Sequence, residues 1–250
     1  DGAAIIDDQF ADMVPKIRSA VALLSDRPVK FVINTHLHGD HTGGNDAFGT
    51  AGAVVIAHDN VRKRLGTAQV NRSNNVNIPA RAREALPVVT FGDSATLHFN
   101  DEDLEFTHLP NAHTETDIII RFRKANVLHM GDCFVGGFPF IDGNTGGRLD
   151  GLIRAHETVL ATVDDNTKII RGHGLLGNKA ELQAYHDMLV VVRDRIARLV
   201  KSGKTQEQVV AARPTKEFEE KYGGASFNAD EWIGRAYVDQ KTALEKRKKK

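Results

Sequence analysis

The stretch of sequence that most restricts this fold is the hexapeptide His36-Leu37-His38-Gly39-Asp40-His41, which directly follows a short apolar run. Three imidazoles and a carboxylate within six residues cannot all face an apolar core, because buried polar groups need partners. In an extended loop His36 and His38 project to the same side, as two ligands of one metal ion require. Asp40 and His41 then face a neighbouring position. The hexapeptide therefore predicts a metal-binding loop at the end of a strand.

Further ligands are expected at the ends of other strands, because one loop supplies too few for two closed metal sites. Four candidates lie where predicted strands pass into loops with small or polar neighbours: His113, Asp132, Cys133 and His173. Asp132 and Cys133 are adjacent, and successive residues of an extended segment face opposite ways. We therefore expect only one of these two to reach a metal.

The hydrophobic pattern predicts strands and helices that alternate in two passes, each ending in a loop that carries His or Asp. Strands are predicted near residues 3–6, 31–33, 54–56, 88–91, 95–99, 104–109, 118–122, 127–130 and 168–170. Helices are predicted at 9–25, 59–65, 149–163 and 179–201, and long loops at 66–87 and 131–147. Caps at Thr205 and Asn228 predict two more helices near the end of the chain.

Four motifs in this order resemble the metallo-β-lactamase superfamily: HLHGDH at 36–41, NAHT at 111–114, GDC at 131–133 and GHG at 172–174. The resemblance covers about residues 1–175 and lacks the family's first strands. It implies an α/β fold, a four-layer αββα sandwich of the metallo-β-lactamase type with a C-terminal helical extension. We accordingly predict a catalytic domain at 1–178 and a helical extension at 179–250.

The resemblance also implies two zinc ions per chain, each held by three of the residues singled out above. The first-site ligands would be His36, His38 and His113, and the second-site ligands Asp40, His41 and His173. His38 stands where iron-dependent relatives carry Glu, which points to zinc, and imidazole and carboxylate ligands suit zinc in any case.

The pair Asp132-Cys133 matches two branches of the family at once. In thioesterase-like relatives such as glyoxalase II, the Asp of a Gly-Asp pair bridges both metals, whereas in the best-known β-lactamases a Cys binds the second zinc. We favour Asp132, because a bridging carboxylate draws two cations together.

The resemblance implies that a metal-bound hydroxide, oriented by Asp40, attacks a carbonyl group. β-Lactam amide hydrolysis, the activity behind antibiotic resistance, is the first hypothesis. It draws on Cys133 and on Asn144, which resembles an Asn that polarises the substrate carbonyl, although a turn-forming Asn beside Gly is the alternative interpretation. The competing functions are a thioesterase or lactonase of the glyoxalase II type, a phosphodiesterase, and a catalytically silent metal-binding relative.

One position departs from the β-lactamase pattern. Many of those enzymes place a lysine three residues after the Cys to hold the substrate carboxylate, and this chain has Gly136 there. The departure puts efficient β-lactam recognition in doubt. An arginine of the long loop could replace the lysine: Arg72, Arg81 or Arg83.

Charge and composition exclude several function classes. Apart from the five basic residues at 246–250, the chain carries 28 basic and 33 acidic residues, so its body lacks the basic stripe that nucleic-acid binding needs. None of its apolar runs approaches the ~20 residues that cross a bilayer. We therefore expect a small-molecule substrate with a carbonyl or ester-like bond, and neither nucleic acid nor membrane as partner.

The single cysteine, Cys133, excludes an internal disulfide and therefore says little about the redox compartment. The sequence opens at Asp1 inside a predicted strand, so we expect upstream sequence with an export signal, which slightly favours the bacterial periplasm.

The remaining histidines fall on none of the motifs and are expected to be surface or core residues: His58, His98, His108, His129, His156 and His186.

Overall fold

The computed structural model describes residues 1–71, 75–223 and 228–248. The chain divides into two compact units, each built from two segments of chain. Unit 1 comprises Asp1–His108 and Thr116–Asn126, and unit 2 comprises Leu109–Glu115 and Val127–Lys250. The domain boundary after residue 178 stays a prediction.

Unit 1 contains two main sheets and a short two-stranded one, with helices against one face of the first sheet. Its strands are β1 (Ala3–Ile6), β2 (Val29–Ile33), β3 (Val54–His58), β4 (Gln69–Asn71), β5 (Val76–Ile78), β6 (Val89–Phe91), β7 (Ser94–Phe99), β8 (Glu102–His108) and β9 (Ile118–Phe122). Its helices are α1 (Val14–Leu24), α2 (Gly39–Thr42), α3 (Asn45–Thr50) and α4 (Asp59–Leu65).

The first sheet of unit 1 is parallel throughout, in the order β1-β2-β3-β6. Ile6 at the end of β1 is opposite Ile33 at the end of β2. Because parallel strands end at the same edge, the residues that follow β1 and β2 emerge side by side there. This edge carries the histidine-rich loop.

The second sheet of unit 1 pairs β7, β8 and β9 antiparallel and packs against the first. Ile33 and Ile56 of the first sheet form one buried cluster with Leu104, Phe106 and Ile118 of the second. Each such side chain contributes roughly 1.5–3 kcal/mol by burial. The cluster ends where the histidine-rich loop begins, so the hydrophobic core fixes the base of that loop.

The first helix of unit 1 is shorter than predicted. A 3-10 turn at Ala11–Met13 precedes α1, and Val14 packs with Val32 and Phe48 against the first sheet. Phe10 and Leu24, apolar residues near the two ends of the predicted helix at 9–25, are 54% and 90% exposed. The helical period was right, but the ends of the segment turn away from the sheet.

The long loop predicted at 66–87 contains regular structure. Strands β4 and β5 form a short antiparallel hairpin within it, and a 3-10 turn follows at Arg83–Ala85. Three-residue strands are too short to produce a recognisable alternating pattern, which is why sequence reasoning missed them. Arg72 lies outside the described residues.

Unit 2 combines a parallel strand pair with the C-terminal helices. Its strands are β10 (Val127–His129) and β11 (Lys168–Ile170), and its helices are α5 (Leu149–Leu160), α6 (Lys179–Lys201), α7 (Gln206–Ala211), α8 (Glu219–Tyr222) and α9 (Ala229–Lys248).

The predicted caps of unit 2 are confirmed. Thr205 forms a capping box with Gln208, and the Asn228 side chain accepts a hydrogen bond from the Glu231 N–H. Helix α6 has the predicted bounds. Across the three described stretches, no helix combines the length and the apolar character needed to cross a membrane.

Candidate metal centre

The loop after β2 brings the potential ligands of unit 1 together. His36 Nε2 lies 3.1 Å from His38 Nδ1, and the ring centroids of His36 and His41 are 4.0 Å apart. His41 Nε2 lies 3.4 Å from Asp40 Oδ2. Two ligand atoms bound to one tetrahedral zinc at 2.0–2.1 Å are roughly 3.3 Å apart. The spacing of these side chains therefore matches that of ligands sharing an ion.

Asp7, which directly follows β1, orients two of these imidazoles. Its Oδ2 lies 2.7 Å from His41 Nδ1 and also accepts the Thr35 hydroxyl at 2.8 Å. The Thr35 hydroxyl oxygen in turn lies 3.0 Å from His36 Nδ1. With Nδ1–H donated in both rings, Nε2 of His36 and of His41 is the atom left for a metal.

The segment after β1 approaches the histidine loop so closely that a glycine is required there. A Cβ at Gly43 would lie 2.6 Å from the Gln9 carbonyl oxygen, which the backbone cannot accommodate. Asp8 accepts the Gly44 N–H at 2.8 Å, and its burial raises the pKa of this carboxyl to about 7. The two segments therefore form one rigid support for the ligands.

In unit 2, two histidines converge on one carboxylate. Asp132 Oδ2 lies 3.7 Å from His113 Nε2 and 3.4 Å from His173 Nε2. His113 is fully buried, and its Nδ1 lies 2.6 Å from the Phe140 carbonyl oxygen, so its Nε2 faces Asp132. A Cβ at Gly172 would lie 2.0 Å from Asp132 Oδ1. Glycine beside His173 is thus required for this convergence.

Cys133 occupies a different environment from its neighbour. The Gly131–Cys133 segment forms a 3-10 turn rather than the extended strand end assumed from the sequence. The Cys133 thiol is buried, and His156 Nε2 lies 2.5 Å from the Cys133 carbonyl oxygen. Burial lowers the pKa of His156 to about 4, so this ring is neutral at pH 7 and donates to that carbonyl. The carboxylate of Asp132, the other member of this adjacent pair, lies close to the candidate ligands His113 and His173.

Asn144 lies in an exposed 3-10 turn, where its N–H donates to the Asp142 carboxylate at 3.0 Å. This is the turn-forming arrangement expected of Asn beside Gly, and its catalytic role stays a prediction. Of the arginines considered as substitutes for the missing lysine, Arg81 is half-buried and Arg83 is exposed.

Three histidines outside the motifs bear out the expectation of ordinary core and surface residues. The rings of His58 and His108 stack at 3.7 Å, and His58 is buried at the end of β3. His98 is exposed and pairs with Asp103 at 2.6 Å.

The donor sets of both units fit zinc. Metal-binding histidines usually donate their second ring N–H to an oxygen, and His36, His41 and His113 all do so. The oxygen atoms that orient them belong to residues that sequence reasoning missed: Asp7, Thr35 and Phe140. Asp7 could have been found, since a polar residue directly after a predicted strand is the same signal that marked the candidate ligands.

Comparison with known proteins agrees with the family resemblance seen in the sequence. The family model described as Metallo-beta-lactamase superfamily matches residues 7–173. A hydroxyacylglutathione hydrolase from Polaromonas sp. (strain JS666 / ATCC BAA-500) is 28% identical over 162 residues, which are 64% of this chain and 54% of that protein. The chain thus spans about half the length of that relative.

Two solved structures share the fold. A metallo-beta-lactamase from Pontibacter korlensis aligns with a TM-score of 0.62 and 20% identity over 75% of this chain and 82% of that one. The stereoselective inverting sec-alkylsulfatase Pisa1 from Pseudomonas sp. aligns with a TM-score of 0.71 and 15% identity over 94% of this chain and 45% of that one. The predicted fold class, with its C-terminal helices, is confirmed.

Proposed function

The chain belongs to the metallo-β-lactamase superfamily, and we propose that it is a zinc-dependent hydrolase of carbonyl substrates, with a thioester or lactone preferred to a β-lactam. The observation that carries this choice is the position of Asp132, whose carboxylate lies 3.7 Å from His113 Nε2 and 3.4 Å from His173 Nε2. A ligand set with Asp in this place is the one implied for thioesterase-like relatives. The similarity to a hydroxyacylglutathione hydrolase supports the same choice.

We assign the ligands as the family resemblance implies. His36, His38 and His113 would hold the first zinc, and Asp40, His41 and His173 would hold the second. Asp132 would serve as a ligand to both. The short distances within each unit and the hydrogen-bonded Nδ1 atoms support the assignment.

We assign separate roles in hydrolysis to three residues of the candidate metal centre. Zinc, when bound, lowers the pKa of water towards ~7 and draws charge from the substrate carbonyl. Asp40 is placed to accept the proton of the attacking water, since its carboxylate is partly exposed and close to His41. Asp7 and Thr35 hold the imidazoles in one orientation, so that little reorganisation is needed during the reaction.

β-Lactam hydrolysis is the second candidate. The observation that favours β-lactam hydrolysis is the exposure of Asn144 beside Gly143, since an exposed amide can reach a substrate carbonyl. Gly136 in place of the substrate-binding lysine speaks against it.

A panel of substrates tests the proposal. The zinc-loaded protein is assayed with a glutathione thioester, a lactone, nitrocefin and a bis-aryl phosphate under the same conditions. We expect the highest kcat/KM for the thioester or the lactone. Faster turnover of nitrocefin would reverse the order of the two candidates. Two bound zinc ions with no turnover of any substrate would overturn the enzymatic proposal.

A further inference from the structure

We infer that the C-terminal helices of unit 2 position His113, and that Trp232 of α9 does so through the backbone of residues 136–142. We call these residues the 136–142 segment. The inference rests on the proposed function, because it gives His113 a ligand role. Family resemblance ends near residue 175, so it assigns nothing to these helices.

The 136–142 segment is held by three C-terminal helices. The hydroxyl of Tyr185 in α6 donates to the Gly137 carbonyl at 2.8 Å. The Tyr222 carbonyl at the end of α8 accepts the Phe138 N–H at 2.9 Å. In α9, the Trp232 indole N–H donates to the Pro139 carbonyl at 2.7 Å.

Packing reinforces these hydrogen bonds. The Phe138 ring stacks on the Trp232 indole with centroids 4.9 Å apart and an interplanar angle of 18°. Both side chains are about 1% exposed. The guanidinium of Arg235, one turn further along α9, lies 5.1 Å from the centroid of the Phe140 ring. Water cannot compete for the buried contacts, so the helices determine where this backbone runs.

The same segment holds two of the proposed ligands. The Phe140 carbonyl oxygen lies 2.6 Å from His113 Nδ1, and the Asp142 N–H donates to the His113 carbonyl at 3.0 Å. At the other end, the Gly136 N–H donates to the His173 carbonyl at 2.8 Å. The segment is therefore bonded to helices in its middle and to ligand residues on both sides.

The carbonyl groups of Pro139 and Phe140 belong to consecutive peptide planes. Trp232 is therefore linked to His113 through two neighbouring peptide groups. Trp232 fixes the carbonyl of Pro139, and the proline ring restricts the backbone on both sides of it. A change in that peptide plane must displace or rotate the next one, whose carbonyl accepts the His113 N–H. Losing that acceptor would release the ring from the orientation in which Nε2 faces Asp132. Trp232 is thus a positioning residue that acts through Phe140.

The test compares two variants of the same helix in the full-length protein. Trp232→Phe removes the indole donor but keeps an aromatic ring against Phe138. Tyr237→Phe, the matched control, also removes one side-chain hydrogen bond from α9 to a backbone carbonyl, that of Lys204 at 3.2 Å. Tyr237 is not among the residues proposed to hold zinc or to orient its ligands.

Two measurements are made on each protein. Histidine ¹⁵N NMR of metal-free protein, with the His113 signal assigned from His113→Gln, reports which ring nitrogen carries the proton. Competition with a chromophoric chelator gives the zinc dissociation constant. We expect the wild type and Tyr237→Phe to show His113 protonated at Nδ1. In Trp232→Phe we expect a mixture of tautomers and zinc binding weakened by about 10-fold or more.

Each outcome decides the inference. An unchanged His113 signal and unchanged zinc binding in Trp232→Phe would overturn it, even if the protein unfolds at a lower temperature. The same changes in Tyr237→Phe would also overturn it, since they would reflect general loosening of α9. If Trp232→Phe does not fold, the exposed Arg235→Gln carries the test, with a shifted His113 signal expected and an unchanged one contradicting the inference. A wild type that binds no zinc refutes the proposed function, while the NMR comparison still tests Trp232.

Discussion

The carboxylate of Asp7 lies 2.7 Å from Nδ1 of His41, a residue 34 positions further along the chain. Both side chains are largely buried, at 12% and 4% exposure, so water competes little for this contact. The two oxygens of Asp7 also accept the backbone N–H and the hydroxyl of Thr35. One acid after the first strand therefore orients His41 directly and His36 through Thr35.

Replacement of Asp7 should weaken metal binding without removing a ligand. Asp7→Asn keeps the shape of the side chain but leaves one acceptor oxygen for three donors, so His41 is released. We expect the dissociation constant of the weaker zinc to rise about 10–100-fold. Titration against a chromophoric chelator measures it, with Asp12→Asn, an exposed acid nearby, as the charge-matched control. Equal zinc binding in Asp7→Asn and the wild type would contradict the positioning role.

Asp132 and Cys133 should respond differently to removal of their side chains. Asp132→Ala deletes the carboxylate that both His113 and His173 face, so we expect zinc content to fall below two ions per chain. Cys133→Ala should keep both ions and lower the free energy of unfolding by about 1 kcal/mol, because a small buried group is lost. Elemental analysis and urea unfolding measure the two effects. Loss of zinc in Cys133→Ala alone would return the ligand role to the thiol.

Asp40→Ala should reduce turnover while leaving zinc bound at the first site. The variant loses the proposed proton acceptor and one second-site ligand, but His36 and His38 remain. We expect kcat/KM on the best substrate of the panel to fall about 10²–10⁴-fold or more, while most of one zinc per chain stays bound. Turnover comparable with that of the wild type would exclude Asp40 from catalysis.

Gly172→Ala tests whether close backbone approach sets the geometry of unit 2. The added Cβ would lie 2.0 Å from Asp132 Oδ1 and 2.6 Å from the carbonyl carbon of Gly131, so Asp132 must move. We expect both lower zinc content and a lower midpoint of thermal unfolding. Gly136→Ala is the control, since its nearest neighbour is 3.6 Å away, an ordinary contact. Similar losses in the two variants would show that the position of Asp132 is not the cause.

Sequence reasoning singled out the candidate ligands because they combine residue type with position at strand ends. His36 and its neighbours follow β2, and the other candidates follow strands in the same way. The bounds of α6 and the caps of the last helices were predicted for a similar reason, since each depends on residues close together in sequence.

Contacts between distant backbone groups left no such signal. The Phe140 carbonyl that orients His113 could belong to any residue type, so its role follows only from the path of the chain. Asp132 and Cys133 could not be separated by strand alternation, because they lie in a 3-10 turn. The short β4–β5 hairpin likewise fell below the length at which a pattern is visible.

Because of His156, we expect the free energy of unfolding to decrease as the pH falls below 6.5. The His156 ring is buried, and burial lowers its pKa from 6.5 to about 4, so the unfolded chain binds the proton more tightly. The stability gained by burying the neutral ring is complete above pH 6.5 and is lost as the pH falls towards 4. This difference between the unfolded and folded pKa of His156 changes the free energy of unfolding by at most about 3 kcal/mol. Urea unfolding at a series of pH values should show a flatter profile over this range for His156→Gln, whose amide can still donate to the Cys133 carbonyl. The exposed His98→Gln is the control, and a profile as steep in His156→Gln as in the wild type would show that His156 does not contribute.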